Sequence, residues 1–339
     1  MRKPLLPLAL LALLAGASAC SSSDDNGPDT PDSGTPDAGT TDEPDVPDRT
    51  ACTGLTVGPG TYDWTVQHAG RARAYRVHVP TGYDATRPTP VVVSFHGFSS
   101  DEKEQELLTG LSTLANTEGF FAVYPRGLET SEINGSGSPQ DTRGWNAGGC
   151  CGPAQFFGVD DVGFVDALFA DLDTRVCVDP RRTYASGMSN GGFFAYRLAC
   201  ERAKRFAAIA PVAGMEGLTP CAPSRPVPVL HFHGTEDPTI LYGGGSNIPF
   251  GQPYPSAEES VRRWAERNDC SNLRVETYRQ GDSSCTAYTA CSPESATASL
   301  CTVQGGLHAW PGQPAFNNGT RDLDATRESW RFFKDRPRP

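Results

Sequence analysis

Residues 90–95 read Pro-Val-Val-Val-Ser-Phe, and residues 120–124 and 207–212 are further short apolar runs. Runs this short read as strands, and a strand with no polar face must be covered on both sides. Residues 182–186 and 227–232 extend the series. Between these runs lie helical patterns at 107–115, 162–172, 190–199, 257–267 and 322–333. Before them, 62–67 and 74–79 alternate polar with β-branched or aromatic residues around Ala69-Gly70, as a hairpin does. After them come strands at 274–278, 285–290 and 298–303. Strands alternating with helices predict an α/β fold: a mostly parallel sheet with helices on both faces, in one domain over residues 51–339.

The first fifty residues have a different texture. Arg2-Lys3 followed by the apolar stretch 5–15 and Ala17-Ser18-Ala19 reads as a signal peptide over residues 1–19. The apolar stretch is too short for a membrane span. Small residues directly before Cys20 resemble a lipobox, which predicts lipidation of Cys20; the alternative is plain secretion. Residues 21–50 carry nine acids against one Arg and repeat Pro-Asp five times. Such a segment buries too little to offset its ordering entropy, so 20–50 is expected to be a disordered linker. The formal net charge of −11 argues against a nucleic-acid-binding surface, which needs a basic stripe. Eleven cysteines point to an oxidising compartment, extracellular or cell envelope, with the membrane reached only through the lipid.

The candidate chemistry lies at predicted strand ends. Gly187-Met188-Ser189-Asn190-Gly191 is a G-x-S-x-G motif. A strand precedes it and a helix follows, which is the setting a nucleophile elbow requires. On this pattern Ser189 is the nucleophile rather than a helix cap. Its base is expected later in the chain, after an acid. Of the six His, His68, His78 and His96 precede Ser189, and His231 and His233 lie on an apolar strand. His308, in a Gly- and Pro-bounded loop, remains as the base. Asp237, in His233-Gly234-Thr235-Glu236-Asp237-Pro238, is the expected acid, with Glu236 as its competitor. The backbone N–H groups of Asn190 and Phe98 are the expected oxyanion-hole donors. His96 reads as structural.

Trp145, Asn146 and Trp310 are candidate substrate-binding residues, with core packing as the alternative for both Trp. Asp160 and Asp161 head a helix, where acids are favoured, and read as structural. Setting Cys20 aside, ten cysteines remain, an even number that suits a paired framework. Cys285 and Cys301 lie on two arms of a hairpin at matched distances from its turn and predict one bridge. Cys270 with Cys291 is the simplest local second pair. No metal-ligand spacing is present among them.

Phe95-His96-Gly97, Gly144-Trp145-Asn146 with Cys150-Cys151-Gly152, residues 159–164, the Ser189 motif, the Asp237 motif and His308-Ala309-Trp310-Pro311-Gly312 occur in this order. This series resembles the secreted polyhydroxybutyrate depolymerase and feruloyl esterase family, related to carbohydrate esterase family 1. The resemblance covers roughly residues 60–335. It implies a disulfide-stabilised α/β-hydrolase fold and hydrolysis of polyesters or ester-substituted polysaccharide. It implies no metal or cofactor. A monomer acting on a polymeric or oligomeric ester is expected. Two other readings compete: a surface-tethered glycan-binding module without activity, and a serine peptidase, since the fold hosts both. Activity toward short acyl esters separates them.

Overall fold

The computed structural model describes residues 43–46, 52–136, 142–246 and 252–339. The expected signal peptide over residues 1–19 and Cys20 lie outside the described residues. Within the unit that spans Asp42–Pro339, one ten-stranded sheet organises the fold. Its strands are β1 (Gly60–His68), β2 (Arg71–Val79), β3 (Thr89–Phe95), β4 (Phe121–Pro125), β7 (Val178–Met188), β8 (Ala208–Val212), β9 (Val229–Gly234), β10 (Arg274–Gln280), β11 (Ser283–Tyr288) and β12 (Ala298–Val303). The short β5 (Leu128–Glu129) and β6 (Arg143–Gly144) pair separately. The order is β1-β2-β4-β3-β7-β8-β9-β12-β11-β10. The six strands from β4 to β12 are parallel, and an antiparallel hairpin closes each edge.

The helices are α1 (Glu102–Thr109), α2 (Leu111–Glu118), α3 (Thr130–Asn134), α4 (Gly152–Phe156), α5 (Asp161–Arg175), α6 (Asn190–Glu201), α7 (Ala257–Arg267) and α8 (Ala325–Lys334). Side chains alternate across the strands and build two cores. Val91, Val93, Phe121 and Val123 pack with Phe164 and Leu168 of α5, Phe194 of α6 and Trp264 of α7. Val92, Ala122 and Tyr124 point the other way, onto Leu114 of α2 and Phe332 and Phe333 of α8. This double coverage is why those strands need no polar face.

Two expectations change. The helix read over 107–115 is two helices, because Gly110 (φ 62°) adopts the left-handed conformation and caps both. The linker is also not wholly detached. Glu43 bonds the Lys204 amide and Ser224, Lys204 Nζ lies 2.8 Å from Asp45, and Arg338 donates to Val46 O. Acidic linker residues thus meet cationic side chains of the domain. Five disulfides join Cys52–Cys177, Cys150–Cys151, Cys200–Cys221, Cys270–Cys291 and Cys285–Cys301. The last joins residues directly opposite on β11 and β12, as the hairpin spacing predicts, and Cys270 pairs with Cys291 as expected.

Candidate active site

Strand register brings the loops together. Phe95 of β3 pairs with Gly187 of β7, Met188 with Val212 of β8, Val212 with Phe232 of β9, and Gly234 with Val303 of β12. The loops carrying Phe98, Ser189, Asp237 and His308 therefore leave one edge, at the C-terminal ends of parallel strands. Chain order reverses between β3 and β7, and the crevice at such a reversal is where open α/β sheets bind ligands.

Ser189 has φ 55° and ψ −119°, a conformation that a side chain adopts only under constraint. The constraint is close backbone packing. A Cβ on Gly187 would lie 2.8 Å from Phe95 O, and one on Gly191 would collide with the same carbonyl. The two motif glycines are thus required by the approach of β3. Ser189 N donates to Val212 O at 2.8 Å, and Phe193 N donates to Ser189 O at 3.0 Å. Asn190 opens α6, where the first N–H groups have no intrahelical partner. Gly97 faces this turn, since a Cβ there would sit 3.6 Å from Ser189 Cβ.

Asp237 is buried, and its two oxygens have separate duties. Oδ1 accepts from Thr239 N and Ile240 N, both at 2.8 Å. Oδ2 lies 2.7 Å from His308 Nδ1. Burial alone would raise the Asp237 pKa. Hydrogen bonds from His233 and His308 outweigh it and hold the carboxyl far below the usual carboxylate range. Facing an ionised carboxylate, His308 Nδ1 carries the proton and donates, which leaves Nε2 as the basic nitrogen. The two loops are fastened to each other: Glu236 N donates to Gly306 O and Thr235 N to Val303 O. Glu236 itself is exposed.

His231 and His233 are buried, as the strand reading expects, but His233 reaches the acid, with Nε2 3.4 Å from Asp237 Oδ2. The same nitrogen lies 2.7 Å from Ile240 O, a group that only accepts, so it bears a hydrogen. His233 Nδ1 lies 3.1 Å from His231 Nε2, and His231 Nδ1 lies 2.9 Å from the Tyr196 hydroxyl. Burial pushes the pKa of His231 well below its usual value. The spacing of His233 four residues before Asp237 is the one sequence sign of this contact. His96 is structural: it is buried, its pKa is pushed down to about 4 by that burial, and its Nε2 accepts from Gly127 N.

The expected substrate contacts at Trp145 and Trp310 require correction, whereas Asn146 is half-buried. Trp145 is fully buried, stacked 5.3 Å from Phe194, and donates through Nε1 to His96 O. Trp310 is 1% exposed and donates to Thr326 Oγ1. Asn146 spends its polar atoms on Asp161, Val159, Gly148 and Arg197. The two Trp rings shape the loops from below. Asp160 caps α5, and Asp161 pairs with buried Arg73 at 2.7 Å. Asn190 grips the Trp145 backbone with both ends of its amide, at 2.7 and 3.0 Å.

A mostly parallel sheet covered on both faces, with a serine at a constrained strand–helix turn and a paired Asp and His on neighbouring strand-end loops, defines an α/β-hydrolase fold. The family model described as "Putative esterase" matches residues 67–288, and the chain belongs to this esterase family. "Putative esterase NocK" of Nocardia uniformis subsp. tsuyamanensis is 31% identical over 261 residues, 72% of each chain. Feruloyl esterase B of Piromyces equi is 29% identical over 242 residues, 69% of this chain but only 42% of that protein's length. The acetyl xylan esterase of Aspergillus awamori shares the fold, with a TM-score of 0.55 at 12% identity, over 81% of this chain and 98% of its own.

Proposed function

We propose that the protein is an exported serine esterase that cleaves carboxylic esters carried on plant polysaccharide, through an acyl-enzyme on Ser189. The observation that carries the reading is the 2.7 Å contact between buried Asp237 and His308 Nδ1, at the same end of the sheet as the constrained Ser189 and two strands along from it. His308 Nε2 takes the Ser189 Oγ proton as the oxygen attacks the ester carbonyl. The N–H groups of Asn190 and Phe98 receive the developing oxyanion. Protonated His308 then returns its proton to the leaving alcohol. Water, activated by the same nitrogen, releases the acid and regenerates the serine. Asp237 holds the imidazole in the correct tautomer throughout. The five disulfides support an oxidising destination. No helix among the described residues is long and apolar enough to cross a membrane. Attachment is assigned to a lipid on Cys20, which mass analysis of the mature N-terminus tests.

The name of the Piromyces relative favours feruloyl esters over polyhydroxybutyrate. A serine-directed phosphonate should label Ser189, and Ser189→Ala should lower turnover of p-nitrophenyl acetate by roughly 10³–10⁶. Labelling elsewhere, or an active Ser189→Ala enzyme, overturns the mechanism. Release of 3-hydroxybutyrate from oligomers without release of ferulate from feruloylated xylan would move the substrate to polyesters. A protein inert toward every ester but binding xylan would be a glycan-binding module, and cleavage of an amide substrate alone would make it a peptidase.

A further inference from the structure

The residue that follows the oxyanion-loop glycine is Phe98, which is 40% exposed. A large apolar ring at a site edge gains nothing in water unless a partner covers it. Its position is fixed by two glycines in another segment of chain. A Cβ on Gly144 would lie 3.0 Å from Phe98 Cδ2, and a Cβ on Gly152 would fall 2.8 Å from Phe98 Cζ. Gly152 has φ +72°, so a side chain there would be strained as well as crowded. The ring therefore rests on backbone along the Gly144–Gly152 segment. That segment is itself pinned by the Trp145–Asn190 amide pair and closed by the Cys150–Cys151 bridge. The Gly144 Cβ position is also 3.0 Å from Asn190 Oδ1, which places the ring beside the residue that follows the nucleophile. Residue 97, directly before Phe98, faces Ser189 Cβ.

We propose that the Phe98 ring is the acyl-group selector of this site: a fixed aromatic platform that stacks the ring of a hydroxycinnamoyl ester while its backbone N–H serves the oxyanion. The proposal rests on the esterase reading above and narrows its substrate to aryl acids. One side of the ring, from Cδ2 to Cζ, is spent on the glycine cradle. The ring belongs to the residue after Gly97, which faces Ser189, and an aryl acid esterified at Ser189 extends its ring outward from the acyl carbonyl. A flat ring needs a flat partner, whereas an acetyl group leaves the platform uncovered and gains nothing from it. Stacking of two rings together with the area they bury predicts a selectivity of roughly tenfold or more.

The test compares kcat/KM for methyl ferulate and p-nitrophenyl acetate in wild type, Phe98→Ala, Phe98→Leu and Phe98→Tyr, each full length and disulfide-bonded. The ratio of ferulate to acetate should fall about tenfold or more in Phe98→Ala. It should stay low in Phe98→Leu, which keeps apolar bulk without the ring, and return in Phe98→Tyr. A ratio that is unchanged in Phe98→Ala and Phe98→Leu overturns the platform, even if both activities drop together through disturbance of the loop. A wild type that turns over acetate but not ferulate also overturns it, with the esterase reading intact. A wild type inert toward both esters fails the esterase reading itself.

Discussion

Asp237→Asn separates geometry from charge at this site. Asp237 Oδ1 accepts two backbone N–H bonds, from Thr239 and Ile240. An asparagine must keep its carbonyl oxygen there, because its NH2 would face two donors. The NH2 is then forced toward His308 Nδ1, where Oδ2 stood 2.7 Å away. A donor in that place makes Nδ1 the acceptor and puts the imidazole hydrogen on Nε2. That nitrogen can no longer take the Ser189 proton. The loss should be about 10⁴ in kcat, or about 5 kcal/mol of barrier, with KM changed little because nothing in the acyl site moves. The loop bonds survive, so the variant should fold. Stopped assays with p-nitrophenyl acetate at neutral pH measure the loss, and Glu236→Gln, an exposed neighbour, is the control and should stay near wild type. An Asp237→Asn enzyme within tenfold of wild type, or a severe Glu236→Gln, refutes the assignment of the acid.

Stability supplies two further predictions. Cys52–Cys177 closes a sequence separation of 125 residues and Cys285–Cys301 one of 16; on the chain-entropy account their removal costs ~5 and ~3 kcal/mol, so denaturant midpoints of the paired Cys→Ser variants should fall in that order, and the reverse order would reject the account. Because Asp237 is held far below its unfolded value of about 4, its stabilising contribution is complete above that pH and is lost as the pH falls through the folded value. Acid unfolding of Asp237→Asn should accordingly depend less on pH below about 4 than that of wild type, as followed by circular dichroism.

All ten main strands were legible because their signals are local: apolar runs where both faces are covered, alternation at the edges. Ser189, Asp237 and His308 are singled out by order and strand-end position; the structure places all three at the same end of the sheet, after β7, β9 and β12, and pairs Asp237 with His308. What the residues could not announce depends on distant partners. Trp145 and Trp310 look alike as candidate walls, but whether a Trp is wall or floor is decided by Phe194, His96 and Thr326, up to about fifty residues away. Cys52 meets Cys177 only because β1–β3 return the chain beside α5's end, and the Cys150–Cys151 bridge carries no spacing signal at all. The division of the first helix hinges on a left-handed Gly110, and a glycine in sequence does not reveal its φ.

A buried layer of hydrogen bonds and ion pairs supports the turn that carries the motif serine. Ser189's backbone conformation costs roughly 1–3 kcal/mol and persists only if its surroundings over-determine it. Part of that constraint is the glycine-only approach of β3. Another part runs from Asn190 through its paired amide bonds to Trp145, and from the Trp145 indole to His96 O, which borders the oxyanion loop. The next residue, Asn146, is anchored by Asp161, whose charge is matched by Arg73 in a pair with almost no exposure. Removing either partner of such a pair leaves an unmatched buried charge, which typically costs ~3–5 kcal/mol. The loop that it anchors is the loop that cradles Phe98. Arg73 and Asp161 therefore act on the chemistry only through position, as a rigid base beneath a strained serine, and the Gly144-Trp145-Asn146 motif is the span that connects them.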